Sequence, residues 1–133
     1  MGVMDIGCGN GRNVKYLRKQ GYTNTVAFDM VNDYGYKITL GQENFPLLDN
    51  SVSVILANYV FMFLNKTERT RVIRELKRVA KTKCTLMVEL YPAKDSFTVN
   101  EEECEELKQE LMDAFGWQKV LCSKGRFVVR NNT

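Results

Sequence analysis

An α/β fold, with a mainly parallel sheet and helices on its faces, is predicted by three observations. A short apolar strand at residues 3–6 runs into glycines at positions 7, 9 and 11, and a helical pattern follows at once. Apolar runs of strand length then alternate with segments of helical periodicity, the pattern of strand–helix–strand crossovers. A second apolar strand ends at Asp29, about twenty residues after the glycines. That is where doubly wound sheets place a carboxylate that can bind ribose hydroxyls.

Each element has its own justification. The first strand, 3–6, leads into a helix over 12–19 that buries Val14 and Leu17 and stops at Gly21. A second strand spans 25–28, and a short third lies near 37–40. Residues 52–57 form a fourth, whose unbroken apolar run suits burial on both faces. Asn65 as N-cap with Glu68 reaching back starts the next helix, where Val72, Ile73, Leu76, Val79 and Ala80 recur on one face. A fifth strand covers 85–90. Asn100 caps a last helix with Cys104, Leu107, Leu111 and Phe115 on its apolar face, and Gly116 ends it. Strands over 118–122 and 127–130, joined by a turn at 123–125, read as a terminal hairpin. Between the second and third strands only residues 30–36 are available, fewer than the ~10–12 a helical crossover takes, so a loop or single turn is expected there.

A length of 133 residues allows one domain with a real core and not two, so 1–133 is read as a single domain. No apolar run approaches the ~20 residues that cross a bilayer. No export signal is expected from the start, and Met1-Gly2 is read as leading into a core strand rather than as an acylation motif. The four cysteines, Cys8, Cys84, Cys104 and Cys122, are scattered and histidine is absent. That argues against a metal site or a disulfide framework and for reduced thiols in the cytoplasm. It also removes the commonest general base. A net charge of +3 is too mild to argue for nucleic acid. The signs are segregated, with residues 66–83 basic and 101–113 acidic. Lys66, Arg69, Arg71, Arg74, Lys77, Arg78, Lys81 and Lys83 are read as the solvated face of an amphipathic helix, in preference to a patch for RNA, DNA or an acidic partner.

The glycine turn carries the chemistry. Glycine permits a sharp turn and lets a ligand reach main-chain N–H groups with no Cβ in the way. The helix N-terminus beyond it favours an anion. The alternative is a tight turn with no ligand. The spacing is not the dinucleotide fingerprint G-x-G-x-x-G, because Arg12 stands where the third glycine would be, and an NAD-type dehydrogenase is disfavoured. Asp5-Ile6-Gly7-Cys8-Gly9-Asn10-Gly11 instead resembles motif I of the class I S-adenosylmethionine-dependent methyltransferases. Residues 45–58, from Phe45-Pro46 through Asp49-Asn50-Ser51 to Asn58, resemble that family's loop and fourth strand. Residues 74–79 resemble its following helix and 85–90 its fifth strand. The resemblance runs from Val3 to about Leu90, and less specifically to the end.

The resemblance implies a Rossmann-like, doubly wound sheet closed by a C-terminal antiparallel hairpin. The usual helices before the first strand, and most of the helix between strands two and three, are missing from the pattern. S-adenosyl-L-methionine is the implied cofactor and S-adenosyl-L-homocysteine the product. Asp5, Gly7, Cys8, Gly9, Asn10 and Gly11 would hold it, with Asp5 near the methionine amino group. Asp29 would take the ribose hydroxyls and Met30 would lie beside the adenine. Where the family often has an acid for the adenine amino group this chain has Gly41, with Gln42 or Glu43 either substituting or forming plain surface loop. Asn58 would face the methionine portion and the methyl group. A structural turn residue at Asp5, a solvated strand end at Asp29 and a core methionine at Met30 are the alternatives.

Tyr59 is the one candidate for positioning a substrate, against simple packing. The run 59–64 either lines a hydrophobic acceptor pocket or belongs to core or a dimer surface. Methyl transfer is an in-line displacement that requires alignment and exclusion of water, with a base only for a protonated nucleophile, so a histidine-free site is chemically reasonable. Asn58 is not followed by Pro-Pro-aromatic, and no Pro-Cys pair occurs, which disfavours nucleic acid bases as acceptors. The expected function is methyl transfer to an unidentified acceptor, a small molecule slightly favoured, with a homo-oligomer or partner protein completing a thin-walled pocket. The alternative is a non-catalytic protein of this fold, acting as a cofactor-binding or protein/RNA interaction module.

Overall fold

The computed structural model describes residues 2–7, 11–29, 36–58, 60–90, 101–116, 118–123 and 126–131. The strands are β1 (Val3–Ile6), β2 (Thr25–Asp29), β3 (Tyr36–Lys37), β4 (Val52–Asn58), β5 (Ala80–Glu89), β6 (Gln118–Ser123) and β7 (Arg126–Arg130). The helices are α1 (Arg12–Lys19), α2 (Lys66–Val79) and α3 (Glu101–Phe115). One seven-stranded sheet runs in the order β3-β2-β1-β4-β5-β7-β6. Its first five strands pair in parallel, and β7 runs antiparallel between β5 and β6. The winding reverses between β1 and β4, which opens a crevice beyond their carboxyl ends.

Register divides the side chains between two faces. Asp5 stands beside Ala27 of β2 and Leu56 of β4, so alternation puts Asp5, Ala27, Asp29, Leu56 and Asn58 on one face. Met4, Ile6, Phe28, Ile55 and Ala57 take the other, where they join Val72 and Leu76 of α2 and Leu107, Leu111 and Phe115 of α3 in the main core. The first face is thinner. There α1 packs its fully buried Val14 on Ala27, while Leu17 is half-buried. Further across that face Leu56 and Val128 are half-buried and Met87 is 43% exposed.

The helix boundaries follow local chemistry. Gly11, at φ 80°, opens α1, and Gly21, at φ 98°, follows its end. At the start of α2 the Asn65 side chain accepts from the Glu68 N–H at 2.8 Å and the Asn65 N–H donates to Glu68 Oε1 at 2.9 Å, a reciprocal capping box. Asn100, the crossover residues 30–35 and the hairpin turn 124–125 lie outside the described residues.

Several boundaries differ from the sequence expectation. β3 occupies Tyr36–Lys37 rather than 37–40. Ile38 and Leu40 are buried all the same, but there the chain turns, with Gln42 and Glu43 both donating to the Thr39 carbonyl and Gly41 at φ 82°. The alternation in Lys37-Ile38-Thr39-Leu40 signalled burial without a ladder. β5 starts at Ala80, immediately after α2, and ends at Glu89. Val52 pairs with Ala80 and Val54 with Thr85, so residues 81–84 bulge opposite Ser53, with Lys83 at φ 65°. The polar Lys81-Thr82-Lys83 hid this first part of the strand.

The basic segment is not simply a solvated face. Arg69 is 7% exposed and donates to both oxygens of Glu110, at 2.9 and 3.0 Å. Arg78 donates to the carbonyls of Phe45 and Leu47, at 2.9 Å each, and to Asp49 at 2.8 Å, and it pairs with Glu75 at 2.7 Å. Lys77 bonds Asn131 at 2.6 Å and lies 5.6 Å from the centre of the Phe115 ring. These three cations are cross-links, because Glu110 of α3, the 45–49 loop before β4 and Asn131 after β7 come back onto α2. Lys66, Arg71, Arg74, Lys81 and Lys83 are exposed as expected.

Candidate active site

The site is built at the carboxyl ends of β1, β2 and β4. Gly7 leaves β1 at φ 71° and its N–H donates to the Phe28 carbonyl at 2.8 Å. A Cβ there would collide with the Val60 side chain, so the turn requires glycine on two counts. Gly11 is buried and its carbonyl accepts from the Lys15 N–H at 2.8 Å, which commits the chain to α1. Asp5, Gly7 and Gly11 are thus placed together. Cys8, Gly9, Asn10, Met30 and Tyr59 lie outside the described residues.

Asp5 is the unusual group. It is 1% exposed in the middle of the sheet, and its Oδ2 has no hydrogen-bond partner among the described residues. Burial, and secondarily the charge of Asp29, push its carboxyl up to about 7. An unsatisfied buried acceptor is a standing cost, and one of this kind calls for an explanation. Asp29 and Asn58 close β2 and β4, both half-buried and both on the same face as Asp5, one pleat nearer the edge.

A fourth polar residue joins them that the sequence reading missed. Glu89 closes β5 directly beside Asn58 in register. Arg126 of β7, opposite Glu89, reaches the same carboxylate oxygen with Nε at 3.0 Å and Nη2 at 2.9 Å. The available signal was a lone carboxylate ending the apolar run Leu86-Met87-Val88.

Other expected residues fall further from this edge or into packing. Gly41 is buried against the backbone and Cβ of Glu68, where an added side chain would collide with α2. Gln42 and Glu43 are exposed on the turn after β3, and Glu43 accepts from the Thr39 N–H at 3.2 Å. Of the run 59–64, Val60, Phe61 and Leu64 belong to the main core and Met62 packs against it, while Phe63 is 59% exposed. Cys84 is buried, which pushes its thiol up to about 12 and makes it unreactive. No cluster of three potential metal ligands occurs among the described residues. A cavity of about 500 Å³ between Gly2, Thr23, Asn24, Ser51 and Lys81 lies at the opposite, amino ends of the strands.

A buried acid under a glycine turn with an oxygen unpartnered among the described residues, a second acid at the next strand end and a tight backbone approach suit a ligand with a cationic end and a hydroxyl-bearing sugar. S-adenosylmethionine has both. The comparisons agree. The methyltransferase domain family matches residues 4–88, and the chain belongs to that family. A SAM-dependent methyltransferase from Aquifex aeolicus superposes with a TM-score of 0.68 at 24% identity, over 98% of this chain and 80% of that one. The 1,6-didemethyltoxoflavin-N1-methyltransferase of Burkholderia thailandensis, with bound 1,6-didemethyltoxoflavin and S-adenosylhomocysteine, gives 0.75 at 14% identity, over 98% and 71%. A complex between the Haloferax volcanii Trm112 methyltransferase activator and a methyltransferase gives 0.67 at 17% identity, over 90% and 62%. No curated protein sequence matches the chain.

Proposed function

We propose that this protein transfers a methyl group from S-adenosylmethionine to a small-molecule acceptor, releasing S-adenosylhomocysteine, and that residues 1–133 act as one domain. The carrying observation is Asp5, buried beneath the Gly7 turn, whose Oδ2 has no partner among the described residues and whose carboxyl Asp29 pushes up further. When bound, the cofactor supplies an electrophilic methyl carbon. Asp5 meets the amino group of its amino acid end, and Asp29 holds the ribose hydroxyls. Gly7, Cys8, Gly9, Asn10 and Gly11 would bring main chain against it. Met30 and either Gln42 or Glu43 would flank the adenine, and Asn58 would face the methionine portion. Tyr59 and Glu89 would serve the acceptor. Arg126 fixes the Glu89 carboxylate, which can hold an acceptor N–H or O–H in line.

Calorimetric titration with S-adenosylmethionine and S-adenosylhomocysteine tests the reading. Binding in the micromolar range, lost in Gly9→Val and Asp29→Ala, is expected. No binding by the folded chain overturns it. Production of S-adenosylhomocysteine with a pool of small-molecule acceptors then separates the enzyme from a non-catalytic cofactor binder. Glu89→Gln lowers that yield while leaving cofactor affinity intact.

A second protein subunit completes the pocket in this reading. Support comes from the half-covered face at Leu56, Met87 and Val128 and from the activator bound to the Haloferax volcanii relative. A monomer that turns over at full rate by itself contradicts that part. No helix among the described residues is long and apolar enough to cross a membrane. The scattered thiols favour the cytoplasm.

A further inference from the structure

We propose that Asp5 couples ligand binding to proton release: a cationic ligand at the carboxyl edge drives the Asp5 proton into solvent, so the site selects cations and binds them better as pH rises. This rests on the reading of the site as the S-adenosylmethionine pocket, and it adds a linkage that the reading itself does not require.

Geometry carries the argument. Asp5 is flanked in the sheet by Ala27 and Leu56, neither of which offers a hydrogen bond from its side chain. The charged groups around it can be taken element by element. β2 presents Asp29, a like charge on the same face, one pleat away. β4 presents Asn58, which has no charge, and Glu89 of β5, one strand further off, is ion-paired with Arg126 of β7. The cations of α1, which packs on this face, are Arg12, Lys15, Arg18 and Lys19; all four are exposed, and Arg18 donates to the Thr25 carbonyl at the far, amino end of β2. Burial and Asp29 therefore both favour the neutral carboxyl, and burial is the larger cause.

A ligand ammonium reverses that balance. It supplies the missing partner for Oδ2 and an opposite charge in a low-dielectric setting, where the ionised form becomes the stable one. The step balances as a protonated Asp5 plus a cation giving a carboxylate–cation pair and one proton taken up by buffer. Below about pH 7, affinity then falls by up to about tenfold per pH unit, since each binding event must remove a proton. A ligand without a cationic group gains nothing from Asp5 at any pH.

The experiment follows the Asp5 side-chain carboxyl by carbon-13 NMR in the aspartate-labelled chain, with and without S-adenosylhomocysteine, across about pH 5 to 8. Calorimetry in buffers of different ionisation enthalpy counts the protons. In the ligand-free chain Asp5 should titrate near neutrality, and with S-adenosylhomocysteine it should stay ionised throughout. Close to one proton should leave per ligand at about pH 6, falling toward none by about pH 8. Asp5→Asn, which keeps the shape, should bind more weakly with no proton release and little pH dependence over this range. Asp29→Asn should move the Asp5 titration to lower pH. An Asp5 that titrates as an ordinary carboxylate, or binding with no proton release at about pH 6, overturns the coupling while leaving the cofactor site standing. Absence of binding at every pH overturns the site reading and the coupling with it.

Discussion

On one face of the sheet, α2 and α3 lay Val72, Leu76, Leu107, Leu111 and Phe115 over Met4, Ile6, Phe28 and Ile55, and Arg69 is buried between the two helices with Glu110 as its partner. On the other, an eight-residue helix packs Val14 on Ala27, and the remaining surface carries Asp5, Asp29, Asn58 and Glu89 among half-covered apolar side chains. The first face satisfies what it buries. The second buries an acid, Asp5, whose Oδ2 has no hydrogen-bond partner among the described residues. Stability and binding are thus assigned to opposite sides of the same strands, and residues one apart in β1 serve different ends. Ile6 belongs to the core, and in the proposed reading Asp5 serves the ligand.

Mutations can break this division. The largest expected effect is on the packed face, where Phe115→Ala removes a fully buried ring and should cost about 3–5 kcal/mol by urea unfolding. A loss under about 1 kcal/mol would mean that α3 contributes little to holding the fold.

On the opposite face Asp5→Asn should have the reverse sign. The folded carboxyl stands at about 7 against an ordinary 3.8, so the native chain loses stability as pH rises from about 4 through about 7. The loss is about 1.4 kcal/mol per unit and on the order of 4 in all. The variant should unfold with no such slope and be the more stable protein at about pH 8, while binding S-adenosylmethionine less well. Parallel pH slopes in the two proteins would show that Asp5 is not the titrating group.

Gly7→Ala, at the junction of the faces, should cost about 2 kcal/mol through its positive φ and the collision with Val60. Adding Val60→Ala should remove the steric part of the Gly7→Ala cost, which a double-mutant cycle reads as a favourable coupling. The smallest effect belongs to Asn65→Ala, about 1 kcal/mol from the lost cap, with cofactor affinity unchanged.

What the sequence disclosed was mostly local. The bounds of α1 were legible because glycines bracket it, and the start of α2 because Asn65 and Glu68 lie three apart on one turn. The spacing of the Asp5–Gly11 turn and Asp29 left a ligand-free turn open, and it was the resemblance to the methyltransferase motif that pointed to a ligand there. The early start of β5 was illegible, since no residue marks a stop between Val79 and Ala80 and the bulge at 81–84 is made of polar residues. Arg69 and Arg78 looked like solvated charges because their partners, Glu110 and the Phe45–Asp49 loop, are distant in sequence. Glu89 went unnoticed for the same reason. Only the β4–β5 register brings it to Asn58, and only β7 supplies Arg126.

The place of β7 bears on how the chain is made. β5 is ten residues long, and one of its edges is covered by β7, the last of the described strands to be synthesised. Until that strand emerges from the ribosome, the row of N–H and C=O groups along β5, including those of Leu86 and Val88, has no neighbour on that side and can template pairing with another nascent chain. A chain cut before Arg126 keeps that edge permanently. Ribosome stalling or C-terminal proteolysis should therefore yield aggregates rather than a smaller folded protein, and the quality of a preparation should track the integrity of its final strand.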